Sequence, residues 1–184
     1  MVEIDAGAMR AVMRLFATGV AVVTTWDGDT ARGTTVNSFT SLSLRPPLVM
    51  VAFDRHRRIV GPLARSGRYA VNILGEDCSE LSDCFAGGPS PVRGADAEAA
   101  EEVEMCGVSW RPGATGLPVL DSAIATLECT VESTFPAGDH NMYVGRVVAA
   151  RAIDGEPMPL LYYTGRYLRI EHASVLDIEG KPEH

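Results

Sequence analysis

The stretch Ala31–Pro47, ARGTTVNSFTSLSLRPP, decides how the rest of the chain is arranged. Hydroxyl residues crowd it at Thr34, Thr35, Ser38, Thr40, Ser41 and Ser43, and apolar residues recur among them at Val36, Phe39, Leu42 and Leu44. A buried hydroxyl without a partner costs about 1–3 kcal/mol, so such a run has two solutions. One is an exposed strand and turn whose hydroxyls bond water and neighbouring backbone. The other is a wall of small donors for a polar ligand, with Gly33 letting the ligand come close to the main chain. Composition alone leaves both open.

The surroundings of this stretch read as strands joined by tight turns. Val20–Trp26 is broadly apolar and predicts a strand buried on both faces, followed by an Asp27-Gly28 hairpin signal. The stretch itself supplies a strand over Arg32–Ser38 and ends at Arg45-Pro46-Pro47, because proline cannot donate to a ladder. Leu48–Phe53 and Tyr69–Leu74 follow as strands. Ala123–Phe135 alternates, with Ala123, Ala125, Leu127, Cys129 and Val131 set against Thr126, Glu128, Thr130 and Glu132, which predicts a half-buried strand. It turns through Pro136–Asp139 into Asn141–Ala149, and Leu160–Tyr163 and Gly165–Ile170 are further extended segments. Helices are few. Asp5 caps a predicted amphipathic helix over 5–18, with Met9, Val12, Met13 and Phe16 on one face and Gly19 as its stop. A basic helix is expected over 55–66, broken near Gly61-Pro62, and another over 76–86. Residues 86–105 read as a mobile loop and 171–184 as a tail. Many close strands with few helices argue for a mainly β, antiparallel, Greek-key-like barrel.

With 184 residues the chain suits a single domain over 1–184. Its net charge of −8 argues against nucleic-acid and membrane partners, which call for a basic face. No apolar run approaches the ~18 residues of a membrane span, and MVEIDAGAM lacks the basic-then-apolar pattern of a secretory leader; a cytoplasmic protein is expected. Cys78, Cys84, Cys106 and Cys129 form no C-x-x-C and have no histidine at ligand spacing, so all four are expected as free thiols, with no disulfide and no metal site. No G-x-G-x-x-G follows a strand, which argues against a Rossmann module. Arg55, Arg57, Arg58 and Arg65 gather cationic charge in an acidic chain, either as a solvated helix face or as an anion clamp.

The segments FATGVAVVTT (Phe16–Thr25), NSFTSLSLRPP (Asn37–Pro47), SGRYAVNIL (Ser66–Leu74) and GDH (Gly138–His140), in this order, resemble the flavin reductase family. Its members are the small reductase components of two-component flavin monooxygenases of the 4-hydroxyphenylacetate and phenol hydroxylase type. The resemblance implies an FMN-binding split barrel, usually a homodimer. It implies a flavin wall of Ala31, Arg32, Gly33, Thr34, Thr35, Asn37 and Ser38, a second wall of Ala52, Phe53 and Asp54, Arg58 and Ile59 near the ribityl phosphate, and a contact at Cys84 and Phe85. It sets Asp139, His140 and Asn141 beside the nicotinamide, with His140 as the catalytic residue. A histidine at a hairpin tip is otherwise a solvated turn residue. The implied activity is NAD(P)H:flavin oxidoreduction: NADH or NADPH reduces FMN or FAD, and the reduced flavin leaves for a separate oxygenase component. Two other readings stand beside it: a flavoenzyme of the same fold that keeps its flavin and acts on an organic substrate, and a non-catalytic flavin or haem carrier.

Overall fold

The computed structural model describes residues 4–88 and 104–170. In chain order these are α1 (Ala6–Met13), β1 (Thr18–Gly19), β2 (Ala21–Asp27), β3 (Thr30–Val36), β4 (Thr40–Leu44), β5 (Pro47–Asp54), α2 (Val60–Ser66), β6 (Arg68–Leu74) and α3 (Ser79–Phe85). A short 3-10 turn (Glu104–Gly107) leads to β7 (Trp110–Pro112), β8 (Pro118–Leu120), β9 (Ala123–Ala137), β10 (His140–Ala152), β11 (Leu161–Tyr163) and β12 (Arg166–Leu168). No helix among the described residues is long and apolar enough to cross a membrane.

The opening stretch closes the fold. Seven antiparallel strands run in the order β3-β2-β6-β9-β10-β5-β4, so β3 and β4 lie at opposite ends of the sheet. Flat, those ends would stand roughly 29 Å apart at the usual spacing of about 4.8 Å per strand. Only Asn37, Ser38 and Phe39 join them, a link that reaches at most about 14 Å. The sheet therefore curls into a barrel, split where β3 meets β5. Ser38 bridges the seam: its hydroxyl donates to the Ala52 carbonyl (2.7 Å) and accepts from the Ala52 amide (3.3 Å). Two-residue hairpins set the register on either side. Gly28 (φ +62°) and Gly138 (φ +63°) hold the first turn position of β2–β3 and β9–β10, where a left-handed backbone favours glycine.

Successive residues of β2 face opposite sides, and both sides are covered. Ala21 and Val23 enter the barrel with Val51, Phe53, Tyr69, Val71, Cys129 and Tyr143, closed at one end by Ile59 and Leu63. Val20 and Val22 face a second core with Leu74, Leu81, Phe85, Leu120 and Leu160. Asn72, fully buried, bonds Val22 O, Thr24 Oγ1 and the Leu120 amide, tying β6, β2 and β8 together.

Five expectations are corrected. The strand of the opening stretch stops at Val36 and a separate strand begins at Thr40, paired with β5 on the far side of the seam. The N-terminal helix stops at Met13, although Asp5 caps it through the Gly7 and Ala8 amides (2.6 and 2.9 Å), and Gly19 is not its stop but part of β1. The helix over 55–66 begins only at Val60; Arg55, Arg57 and Arg58 sit in turns before it. Pro62 fits that helix because first-turn N–H groups have no intrahelical acceptor. Glu128, expected on the solvent face of its strand, is 4 % exposed, because the turn at 113–117 folds over it and donates the Ala114 and Thr115 amides (2.6 and 2.8 Å).

The fifth correction concerns the cysteines. Cys84, on the last turn of α3, and Cys106, in the 3-10 turn, form a disulfide with Cα atoms 6.2 Å apart. Both elements pack on the same core beside β3, which brings together thiols 22 residues apart in sequence. Cys78 and Cys129 are free, as expected. The loop expected over 86–105 and the tail over 171–184 lie, apart from residues 86–88 and 104–105, outside the described residues.

Candidate functional site

A cleft of about 270 Å³ opens beside the barrel seam, lined by Thr34, Thr35, Val36, Asn37, Ser38, Ala52, Phe53, Asp54, Arg57 and His140. Three segments far apart in sequence meet there because β3 and β5 flank the seam and His140 pairs with Asp54 at the end of β10. A slightly larger hollow, about 310 Å³, lies between residues 111–114 and 149–151. It contains no predicted site residue, and its buried carboxylate, Glu128, is already taken up by Ala114 and Thr115.

The wall from β3 resolves the two readings of its hydroxyls. Thr35 Oγ1 donates to Ser82 O (2.7 Å), Thr34 Oγ1 to Phe85 O (3.4 Å), and Ser38 Oγ to Ala52 O (2.7 Å). These hydroxyls are spent on the protein's own backbone, locking β3 to α3 and to β5. The main chain is what remains for a ligand. Asp27 and Thr30 close the hairpin, and hydrogen-bonded pairs then alternate along it, so Thr35 turns its N–H and C=O away from β2.

Gly33 serves packing. A Cβ there would lie 2.5 and 2.9 Å from ring carbons of Phe85, so the close approach it permits is that of Phe85. Gly33→Ala is expected to push α3 off β3 and cost about 1–3 kcal/mol of stability, measured by denaturant unfolding; an unchanged midpoint would mean the ring yields freely.

The other predicted residues divide clearly. Ala31 is buried in the second core, and Arg32 sits 3.8 Å from Asp27, outside the cleft lining. Ile59 is buried in the barrel core, and Arg58 is exposed with no ion pair or side-chain hydrogen bond among the described residues. Cys84 is in the disulfide, and Phe85 rests on Gly33. Asn141 lies half-buried on β10, opposite Phe53 of β5. The cleft adds Val36, which the sequence reading did not assign, and Arg57, which it named only within the cluster of four arginines. Asp54 Oδ1 accepts from the His56 amide (2.8 Å) and Asp54 O from the Arg57 amide (3.0 Å), and this turn brings Arg57 back to the cleft. The signal was an Asp at the end of a strand, two residues before His56.

His140 is well fixed for a residue at a hairpin. The Arg55 amide donates to Asp139 O (3.1 Å) and the Arg55 guanidinium to Gly138 O, which pins the turn to the end of β5. His140 Nδ1 lies 2.7 Å from Asp139 Oδ1. The hydrogen bond from His140, and then the imidazole's positive charge when protonated, hold the Asp139 carboxyl below its usual range. Asp139 is thus ionised at neutral pH. A carboxylate only accepts, so Nδ1 carries the proton and Nε2 is left without a partner among the described residues.

The arrangement offers a cleft between two strand walls, a main-chain donor and acceptor at Thr35, one cation and one imidazole. Residues 13–171 match the family described as "Flavin reductase like domain". An NADH-dependent flavin reductase of Rhodococcus sp is 37% identical over 166 residues, covering 89% of this chain and 85% of its own. The reductase subunit of a flavin-dependent monooxygenase of Mycobacterium tuberculosis is 34% identical over 170 residues, covering 92% of this chain and 84% of its own. The NADH:FAD oxidoreductase SgcE6 of Streptomyces globisporus, solved with NAD and FAD fragments, superposes with a TM-score of 0.79 at 30% identity, covering 95% of this chain and all of its own.

Proposed function

The chain belongs to the flavin reductase like domain family, and from that premise we propose how its cleft carries out flavin reduction. The protein is an NAD(P)H-dependent flavin reductase on the split-barrel fold, serving a separate flavin-dependent monooxygenase. Flavin, when bound, supplies the redox chemistry by accepting a hydride from the reduced nicotinamide. The chain supplies orientation, charge and shelter. The observation that carries this reading is the meeting of residues 34–38, 52–54 and His140 around one cleft. The Thr35 main chain offers a donor and an acceptor to the pyrimidine edge of a flavin. Ala52 and Phe53 form the facing wall, and His140, held by Asp139, meets the nicotinamide at the open end. Steady NADH oxidation that rises with added free FMN or FAD is the expected result. Protein that keeps its flavin through dialysis and ignores NADH and NADPH would overturn it, in favour of a flavoenzyme acting on an organic substrate or a carrier.

Arg57 takes the phosphate role in this reading, because it lines the cleft while Arg58 faces solvent. A guanidinium offers a fork of donors suited to phosphate. Arg57→Ala is expected to weaken FMN about tenfold, a loss of roughly 1.4 kcal/mol, and to leave riboflavin, which has no phosphate, nearly unaffected. Equal losses for both ligands would exclude the clamp, and a larger FMN loss in Arg58→Ala would return the role to Arg58.

The enzyme acts as a homodimer in this proposal. Phe16, Val12 and Leu15, close together in sequence, are each 66 % exposed, apolar area that a second copy would cover. Sedimentation should give a dimer at micromolar concentration; a fully active monomer would exclude it. NADH is an intracellular metabolite, and on that chemical ground a cytoplasmic enzyme is part of this proposal.

A further inference from the structure

The geometry points to Tyr167, on β12, as a positioning residue for the wall of the cleft formed by β3. This rests on the reading of that cleft as the flavin site. Tyr167 Oη lies 2.9 Å from both Ser82 Oγ and Asp83 Oδ1, adjacent residues on α3. Asp83 as a carboxylate only accepts, so the phenol donates to Asp83 and accepts from the Ser82 hydroxyl. Burial, together with the Asp83 carboxylate, raises the phenol's pKa, while the bond from Ser82 acts against it; the group stays protonated at neutral pH.

The same helix meets the wall. Ser82 O accepts from Thr35 Oγ1 (2.7 Å), Phe85 O from Thr34 Oγ1 (3.4 Å), and the Phe85 ring fills the space beside Gly33. Three consecutive residues of β3 therefore take their position from the last turn of a seven-residue helix. That helix has no side-chain cap at its start. Tyr167 grips it through the side chains of Ser82 and Asp83, and its own ring is held edge-on by Tyr162 at 5.6 Å. Tyr167 is not part of the cleft lining, so its effect on flavin passes through α3 to β3.

The test uses the full chain. Tyr167→Phe keeps the ring and removes the hydroxyl. It should raise the Kd for FMN, read by fluorescence quenching, roughly three- to tenfold, the effect of one lost hydrogen bond. In ligand-free protein, the amides of residues 33–38 should exchange hydrogen faster. Thr35→Val should raise the FMN Kd by a similar factor, and the double variant should lose no more than either alone, because both act on one connection. Asp83→Asn, which keeps an acceptor oxygen, should bind FMN nearly as the parent does, while Asp83→Ala should behave like Tyr167→Phe. A lower Tm with unchanged FMN affinity and unchanged exchange at 33–38 would overturn the inference, as would multiplying losses in the double variant. Parent protein that binds no flavin would overturn the functional reading instead, and the exchange of residues 33–38 would still decide whether Tyr167 positions β3.

Discussion

Reduction of the Cys84–Cys106 bond is expected to lower the stability of the fold by about 3 kcal/mol and the unfolding midpoint by roughly 6–12 °C. The bond joins residues 22 apart, and a cross-link of that span removes loop-closure entropy from the unfolded chain. It also holds a turn that the sequence would not choose alone. Met105 (φ 51°) and Cys106 (φ 56°) both take the left-handed backbone that side-chain-bearing residues rarely adopt. Calorimetry with and without dithiothreitol measures the effect, and the Cys84→Ser, Cys106→Ser double variant should unfold at the reduced protein's temperature and ignore the reductant. The remaining thiols do not confuse the result: Cys129 is buried, with its pKa pushed up to about 12 by desolvation, and Cys78 and Cys129 are not joined to each other. Identical midpoints with and without reductant would mean that the bond does not form in solution. Because Cys84 precedes the ring that packs on Gly33, FMN affinity should fall along with stability.

What could be read from the sequence was whatever a short window encodes. Alternation in Ala123–Phe135, the apolar run at Val20–Trp26 and the Asp27-Gly28 pair specify strands and hairpins through rules of period and turn chemistry. What escaped depends on partners that no window contains. Glu128 alternates onto the outer face of β9, and only a distant turn, 113–117, buries it and satisfies its carboxylate. The apolar face of α1 has a helical period but no core on which to close, so its residues stand exposed. The opening stretch reads as one hydroxyl-rich strand, yet a link of three residues splits it between the two ends of a curled sheet. The same holds at the site. The resemblance assigned residues 31–35 with Asn37 and Ser38, residues 52–54, and Asp139, His140 and Asn141, and the cleft brings parts of all three together. Which arginine of Arg55, Arg57 and Arg58 faces it was set by an aspartate turn at Asp54, a local signal that competed with a helical reading of the same residues.

Replacing His140 with alanine should slow flavin reduction while leaving flavin affinity nearly unchanged. The side chain lies at the rim of the cleft, 44 % exposed, and most of the proposed flavin wall comes from β3 and β5, which the imidazole does not support. The loss should fall between about 1 and 3 kcal/mol, the range for one hydrogen bond or one positioned acid, or roughly five- to 150-fold in kcat/KM for NAD(P)H. How that loss divides reports the role. A rise in KM alone means that the imidazole binds the nicotinamide; a fall in kcat at constant KM means that it acts on the reacting state. The Asp139 pairing sharpens this. With Nδ1 committed to the carboxylate, Nε2 accepts in the neutral ring and donates only in the protonated ring. Asp139→Ala frees the ring to exchange tautomers and should reproduce part of the loss. If His140→Ala reduces FMN as fast as the parent at low NADH, the histidine belongs only to its hairpin.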